Sequence, residues 1–190
     1  MREIVGGGVH QLEPGEWTDD TSMALCLAES LLQANGFDPA DQMKWYLKWF
    51  REGYLSSKDH CFDIGNATRD ALLSFEKTGR PYAGSTDPWS AGNGSIMRLA
   101  PIPLFYAKDP ALALEMCARS SATTHAAKNA VDASHIKDTT GAVYGQLAGA
   151  YYGMEGLPPK MCAIIKHRKL IEAIAVRLYQ NRYHPSRLFP

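Results

Sequence analysis

No window of this 190-residue chain sustains the period-two alternation of a half-buried strand, whereas apolar residues recur at helical spacing along most of its length. That pattern leaves helix packed on helix as the way to bury them, so an all-α fold is expected, a compact helical bundle. From Met23 to Leu32 the residues Ala24, Leu27, Ala28 and Leu31 define one buried face. Asp38-Pro39-Ala40-Asp41 is a strong helix start, with Asp as N-cap, Pro at the first helical position and an acid in the first turn. The helix it opens carries Met43, Tyr46, Leu47 and Phe50 on one face and stops near Gly53. Trp45 and Trp49, four apart, read as core or partner-facing residues. A third helix is expected from Ile64 to Lys77, with Ala71, Leu72 and Phe75 inward and Gly79 as its stop. Asp109-Pro110 repeats the start signal for a helix through Arg119, and Thr124 caps a short one. After Pro158-Pro159 a single final helix carries Ile164, Ile171, Ile174 and Leu178. The Pro/Gly-rich stretch Gly79 to Pro103 reads as one long loop, a length that usually serves function.

Size and charge narrow the function classes. One domain, residues 1–190, is expected, long enough for a real core. Twenty basic and twenty acidic residues cancel, so nothing points to nucleic acid or an anionic membrane. Cys26, Cys61, Cys117 and Cys162 lack metal-like spacing, and Cys26, Cys117 and Cys162, within helical patterns, read as reduced, packed thiols. Met1 to Gly6 lacks the apolar core of a signal peptide and no run approaches transmembrane length, so a cytoplasmic monomer is the expectation.

Chemistry concentrates at Trp17-Thr18-Asp19-Asp20-Thr21, where a loop marked by Gly6, Gly7, Gly8, Pro14 and Gly15 turns into the first helix. Asp19 and Asp20 repel, and the helix dipole relieves only part of that. A hard divalent cation would relieve the rest, since carboxylate and hydroxyl oxygens suit Mg²⁺ or Mn²⁺. Ordinary N-capping is the competing reading. A second cluster, Asp138-Thr139-Thr140-Gly141, again stands just before a helix-like run. There Gly141, Gly145, Gly149 and Gly153 fall on one helical face, although each interior glycine costs about 1 kcal/mol. Close approach of another helix or a ligand would justify them.

Trp17 to Leu32, Gly92-Asn93-Gly94-Ser95-Ile96-Met97-Arg98, Thr124-His125 and Asp138 to Gly153 together resemble, in order, the ADP-ribosylglycohydrolase family. The resemblance implies an all-α fold with two Mg²⁺ ions at its centre, and cleavage of the glycosidic bond between ADP-ribose and a protein side chain. It implies Thr18, Asp19, Asp20, Asp138 and Thr139 as metal ligands. Asp19 and Asp20 would also be catalytic, as would Asp63, which stands in Asp63-Ile64-Gly65-Asn66 near the substrate ribose as a hydrogen-bonding or proton-shuttling group, with an N-cap as its alternative role. Ser90, Gly92, Asn93, Gly94 and Ser95 would form a bed for pyrophosphate and ribose, in place of a plain surface turn. His125 would stack on or bond the ligand, unless it is simply structural. Arg98 reads as a buried or loop-pinning salt bridge ahead of a phosphate ligand. His10, His60, His135, His167 and His184 show no ligand spacing and receive no role.

Three departures touch the implied chemistry. The family's glycine-rich first helix, with a glutamate near the metals, has no counterpart here, and Glu3, Glu13 and Glu16 do not match it. Ala133-Ser134-His135-Ile136 runs almost directly into Asp138, where the family has a helical block. The family's second metal motif has two aspartates one residue apart, and here Ile136 and Lys137 precede Asp138. A bundle shortened in this way is expected to bind one Mg²⁺, or bind it weakly. The expected function is an Mg²⁺-dependent hydrolase of ADP-ribosylated protein side chains with feeble turnover. The alternative is an inactive ADP-ribose-binding or crystallin-like structural remnant. Its expected partner is ADP-ribosylated protein or ADP-ribose, with no nucleic acid or membrane.

Overall fold

The computed structural model describes residues 5–86, 92–125, 153 and 159–181, and over these every regular element is an α-helix. The helices are α1 (Asp19–Gln33), α2 (Pro39–Glu52), α3 (Asn66–Thr78), α4 (Pro101–Phe105), α5 (Pro110–Ala122), α6 (Pro159–Ile164) and α7 (Arg168–Gln180). Strand-like pairing among the described residues is limited to two isolated bridges, Gly7 with Leu12 and Ser85 with His125. The all-α expectation holds.

α1 is the central element and packs on α2, α4 and α7. Its Leu27, Ala28 and Leu31 are buried as the spacing predicts, joined by Met23 and Cys26, while Ala24 is only partly covered. α2 begins as read: the Asp38 carboxylate accepts from the Ala40 and Asp41 N–H groups at 2.8 and 3.0 Å, and Gly53 ends the helix at φ 70°. Met43 and Tyr46 are buried, but Trp49 joins them rather than Phe50, which with Leu47 is only partly covered. Because α2 meets α1, α3 and α5, its buried stripe is wider than a single periodic face. α3 buries Ala71, Leu72 and Phe75 and stops at Gly79, φ 70°. In α5, Asp109 Oδ1 accepts from Leu112 N–H at 3.0 Å.

Two readings need correction. The stretch to Pro103 is not all loop, because Pro101 opens α4, which buries Ile102 and Phe105 against the core. The chain after Pro158 is not one helix but two. His167 breaks it at φ 50°, and just before the break the Lys166 N–H donates to Gly15 O at 2.9 Å instead of continuing the helical ladder. A tertiary contact therefore overrides local periodicity, while Ile174 and Leu178 still reach the core. The expected helix over 141–152 and the short helix after Thr124 lie outside the described residues. Gly153, at φ 66°, does not continue a right-handed helix. The cysteines are free thiols, and no described helix is long and apolar enough to cross a membrane.

Candidate active site

The segment leading into α1 is fastened on both sides. Trp17 Nε1 donates to Leu55 O at 3.3 Å, and Ser57 Oγ donates to Trp17 O at 2.6 Å. Thr18 then occupies the N-cap position with extended backbone, yet its side chain makes no capping hydrogen bond. Its Oγ1 instead donates to Asp20 Oδ2 at 3.3 Å, while the Asp20 N–H donates to Asp19 Oδ1 at 3.1 Å. Both carboxylates are 7% exposed. Two adjacent buried carboxylates are expensive unless positive charge or donors meet them, so N-capping by Thr18 is not the purpose of this cluster.

Part of the compensating charge is Arg98. Its side chain is fully buried, with the guanidinium 4.7 Å from the Tyr46 ring centroid. Nη2 donates to Ser120 O at 3.1 Å and Thr123 Oγ1 at 3.3 Å, while Nε and Nη1 find no hydrogen-bond partner among the described residues. Burial lowers the guanidinium pKa, and the charges of Tyr46 and Asp19 work against that shift. Arg98 is thus buried and pins the end of α5 as expected, but through a carbonyl and a hydroxyl, with no salt bridge among the described residues. Gln42 reinforces the same point: its Nε2 donates to Thr123 Oγ1 at 3.0 Å and to Tyr46 Oη at 3.3 Å.

The glycine loop and His125 form one unit. A Cβ on Gly92 would stand 3.3 Å from His125 Nε2, and one on Gly94 would stand 2.9 Å from Cε1 and 3.0 Å from Thr68 Oγ1. Gly84 is equally pressed, 2.6 Å from the His125 backbone nitrogen. These glycines admit the imidazole. Thr124 Oγ1 and His125 Nδ1 lie 2.7 Å apart, and the His125 N–H donates to Ser121 O at 2.8 Å. Burial first, and the Arg98 charge second, push the His125 pKa down to about 4, so the ring is neutral at pH 7. Ser95 is wholly buried and its Oγ accepts from Ser121 Oγ at 2.8 Å. Its side chain therefore tethers the loop to α5, and Asn93 closes the turn through its carbonyl, which accepts from Ile96 N–H at 2.9 Å.

Asp63 stands on a third segment, at φ 58°, with Oδ1 2.8 Å from His10 Nε2. Nearby Cys61 has its thiol pushed up to about 12, by burial and then by the Asp19 charge, which puts this segment within electrostatic reach of the α1 carboxylates. Arg98 in turn lies within electrostatic reach of both Asp19 and His125. Ser90, Asp138 and Thr139 lie outside the described residues. Among the described residues no group of three or more His, Cys, Asp or Glu side chains is arranged to hold a metal ion. Sequence reasoning missed His10, Gln42 and Thr123. No spacing signals the His10–Asp63 and Gln42–Thr123 contacts, because both join residues more than fifty apart in the chain.

The ADP-ribosylglycohydrolase profile matches residues 1–137 and 137–187. The ADP-ribosylarginine hydrolase Tri1 of Serratia proteamaculans (strain 568) is 49% identical over 108 residues, covering 57% of this chain and 30% of that protein. Its namesake from Pseudomonas putida (strain GB-1) is 43% identical over 136 residues, covering 72% and 37%. The ADP-ribosyl-[dinitrogen reductase] glycohydrolase of Rhodospirillum rubrum is 34% identical over 113 residues, covering 58% and 35%. The chain thus matches about a third of the length of these curated relatives. A solved structure described as an ADP-ribosylglycohydrolase-related protein complex superposes with a TM-score of 0.80 at 35% identity, over 96% of this chain and 87% of the other. With its ordered motifs, its helical fold and a profile match along nearly its whole length, the chain belongs to the ADP-ribosylglycohydrolase family.

Proposed function

We propose that this chain carries an Mg²⁺-dependent ADP-ribosylglycohydrolase site that releases ADP-ribose from arginine, with slow turnover. The observation that carries the reading is the buried Asp19–Asp20 pair, whose N-cap Thr18 turns its hydroxyl to a carboxylate rather than to the helix. That donor set of hard oxygens fits a small divalent cation. Thr18, Asp19 and Asp20 would hold it, joined by Asp138 and Thr139. When bound, Mg²⁺ supplies Lewis-acid stabilisation at the glycosidic centre.

The remaining roles fall to the chain itself. Neutral His125 packs the Gly92–Ser95 loop without placing a cation under it, and Asn93, Gly94 and neighbouring backbone N–H groups are the ligand donors. Asp63 accepts a hydrogen bond from the ribose or moves a proton. The arginine preference rests on the two Tri1 relatives, named ADP-ribosylarginine hydrolases. Slow turnover follows from Ile136, an apolar residue where the resemblance places a ligand aspartate, beside the Lys137 ammonium.

Incubating the purified chain with ADP-ribosylated arginine and serine peptides and Mg²⁺ tests this directly. Metal-dependent release from arginine is expected at a rate about 10²–10⁴-fold below that of its longer relatives, with Asp19→Ala abolishing it. Binding of ADP-ribose with no release would favour the binding-only alternative. Absence of both would sink the proposal.

A further inference from the structure

We propose that His10 is a positioning residue for Asp63, holding its carboxylate in the single orientation that meets the ligand; the inference rests on the ADP-ribose reading above. His10 lies in a glycine-rich turn for which sequence spacing provides no role, yet the turn is closely fixed. Gly7 and Leu12 exchange backbone hydrogen bonds at 2.7 and 2.9 Å, and Gln11 N–H donates to Gly8 O at 3.1 Å. From the segment that carries Asp63, Lys58 Nζ reaches across to donate to His10 O at 2.8 Å and Gln11 O at 3.1 Å. The imidazole meets Phe62 edge-on at 5.5 Å between ring centroids, and His60 packs on the same ring at 5.8 Å. Backbone and ring of His10 are therefore both located before its Nε2 meets Asp63 Oδ1 at 2.8 Å.

Stability does not explain this arrangement. The two side chains are 33% and 30% exposed, a setting in which an ion pair contributes little to folding. Asp63 moreover holds φ 58°, a left-handed conformation that a non-glycine residue adopts against its preference. Strain of that kind persists where surrounding contacts over-determine it, and such places cluster at functional sites. With Oδ1 occupied by His10, Asp63 Oδ2 takes no hydrogen bond from a described residue, so it is the oxygen available to a ribose hydroxyl. The His10 ring, with Nε2 at 2.8 Å from Oδ1, confines the carboxylate, which lowers the ordering cost of the ligand contact.

A double-mutant cycle on ADP-ribose binding tests the proposal, with calorimetry on the whole chain in Mg²⁺. His10→Ala and Asp63→Asn should each weaken binding about tenfold, and the double variant should be no weaker than either, as for contacting residues that act as a unit. His10→Gln, which keeps an N–H donor at a similar reach, should stay within about threefold of wild type. Penalties that add in the double variant would overturn the proposal, as would an undiminished His10→Ala. Should the wild-type chain bind no ADP-ribose, the functional reading fails, and ring ¹⁵N spectra of His10 still decide the pairing. A fixed Nε2–H tautomer that becomes mixed in Asp63→Asn supports the positioning role, and spectra indifferent to that substitution refute it.

Discussion

At the scale of single residues, the site is governed by charges and rings that cannot be moved without cost. His125 illustrates this. Its imidazole is 4% exposed and fills the space beside Gly92 and Gly94, so protonation would put a cation in a dry crevice already under the Arg98 charge. Its pKa falls from the ordinary 6.5 to about 4, so between those values the unfolded chain binds a proton that the folded chain refuses. Stability from this group is therefore fully present above pH 6.5 and declines as pH falls toward 4, by a total on the order of 3 kcal/mol. Urea denaturation midpoints measured from pH 7.5 to 4 should show that decline, and His125→Gln should flatten this part of it. A wild-type curve parallel to that of His125→Gln would contradict a neutral buried imidazole. Gly94→Ala belongs to the same contact: a methyl 2.9 Å from the ring and 3.0 Å from Thr68 Oγ1 should destabilise by ~1–3 kcal/mol through overpacking. Thermal melts at pH 7.5 would measure it.

Among the helices, two N-termini separate structural capping from chemistry. The Asp38 side chain satisfies two N–H groups of α2, whereas the Thr18 side chain satisfies none of α1. Asp38→Ala should therefore cost about 1 kcal/mol through the lost cap, and Thr18→Ala should cost a similar amount in metal-free buffer because it removes a donor from the buried Asp20 carboxylate. With Mg²⁺ the two should separate. Wild type gains RT ln(1 + [Mg²⁺]/Kd), or about 2.7 kcal/mol at a hundredfold excess over Kd, and Thr18→Ala should lose most of that gain while Asp38→Ala keeps it. Paired melts with chelator and with Mg²⁺ measure all four values, and an Mg²⁺ response unchanged in Thr18→Ala would remove that residue from the ligand set.

Across the whole molecule, the approach to the site is held by a contact between distant parts of the chain. Gly15 passes so close to the turn after α6 that a Cβ would fall 1.6 Å from Ile164 O, and its φ of +91° independently favours glycine. Lys166 closes the same junction, donating from its backbone to Gly15 O at 2.9 Å and from Nζ to Glu16 Oε1 at 3.2 Å, with a further donation to Ser57 O. Trp17 sits against His167 at 5.8 Å between centroids. Gly15→Ala should therefore cost ~2 kcal/mol or more and loosen residues 159–181, which hydrogen exchange would register. Gly79→Ala is the control, since its Cβ meets nothing within 4 Å. It should cost only the left-handed penalty of about 1–2 kcal/mol and leave exchange in 159–181 unchanged.

Helices α1, α2, α3 and α5, most of their inward faces and the Asp38, Asp109, Gly53 and Gly79 boundary signals were determined by the sequence alone, because capping and periodicity act within a turn or two of chain. The Thr18–Asp20 cluster was legible too, as a concentration of charge that no helix start requires. Tertiary structure decided what local pattern cannot carry. The break at His167 exists because Gly15 takes the Lys166 N–H, and α4 forms inside a Pro/Gly-rich stretch because Ile102 and Phe105 find a core to enter. The purpose of the glycines was likewise settled in three dimensions. Gly92 and Gly94 are small because an imidazole from thirty residues away rests on them. His10 acquires a partner only when a turn ahead of α1 folds onto the segment before α3, a contact for which no sequence interval is a guide.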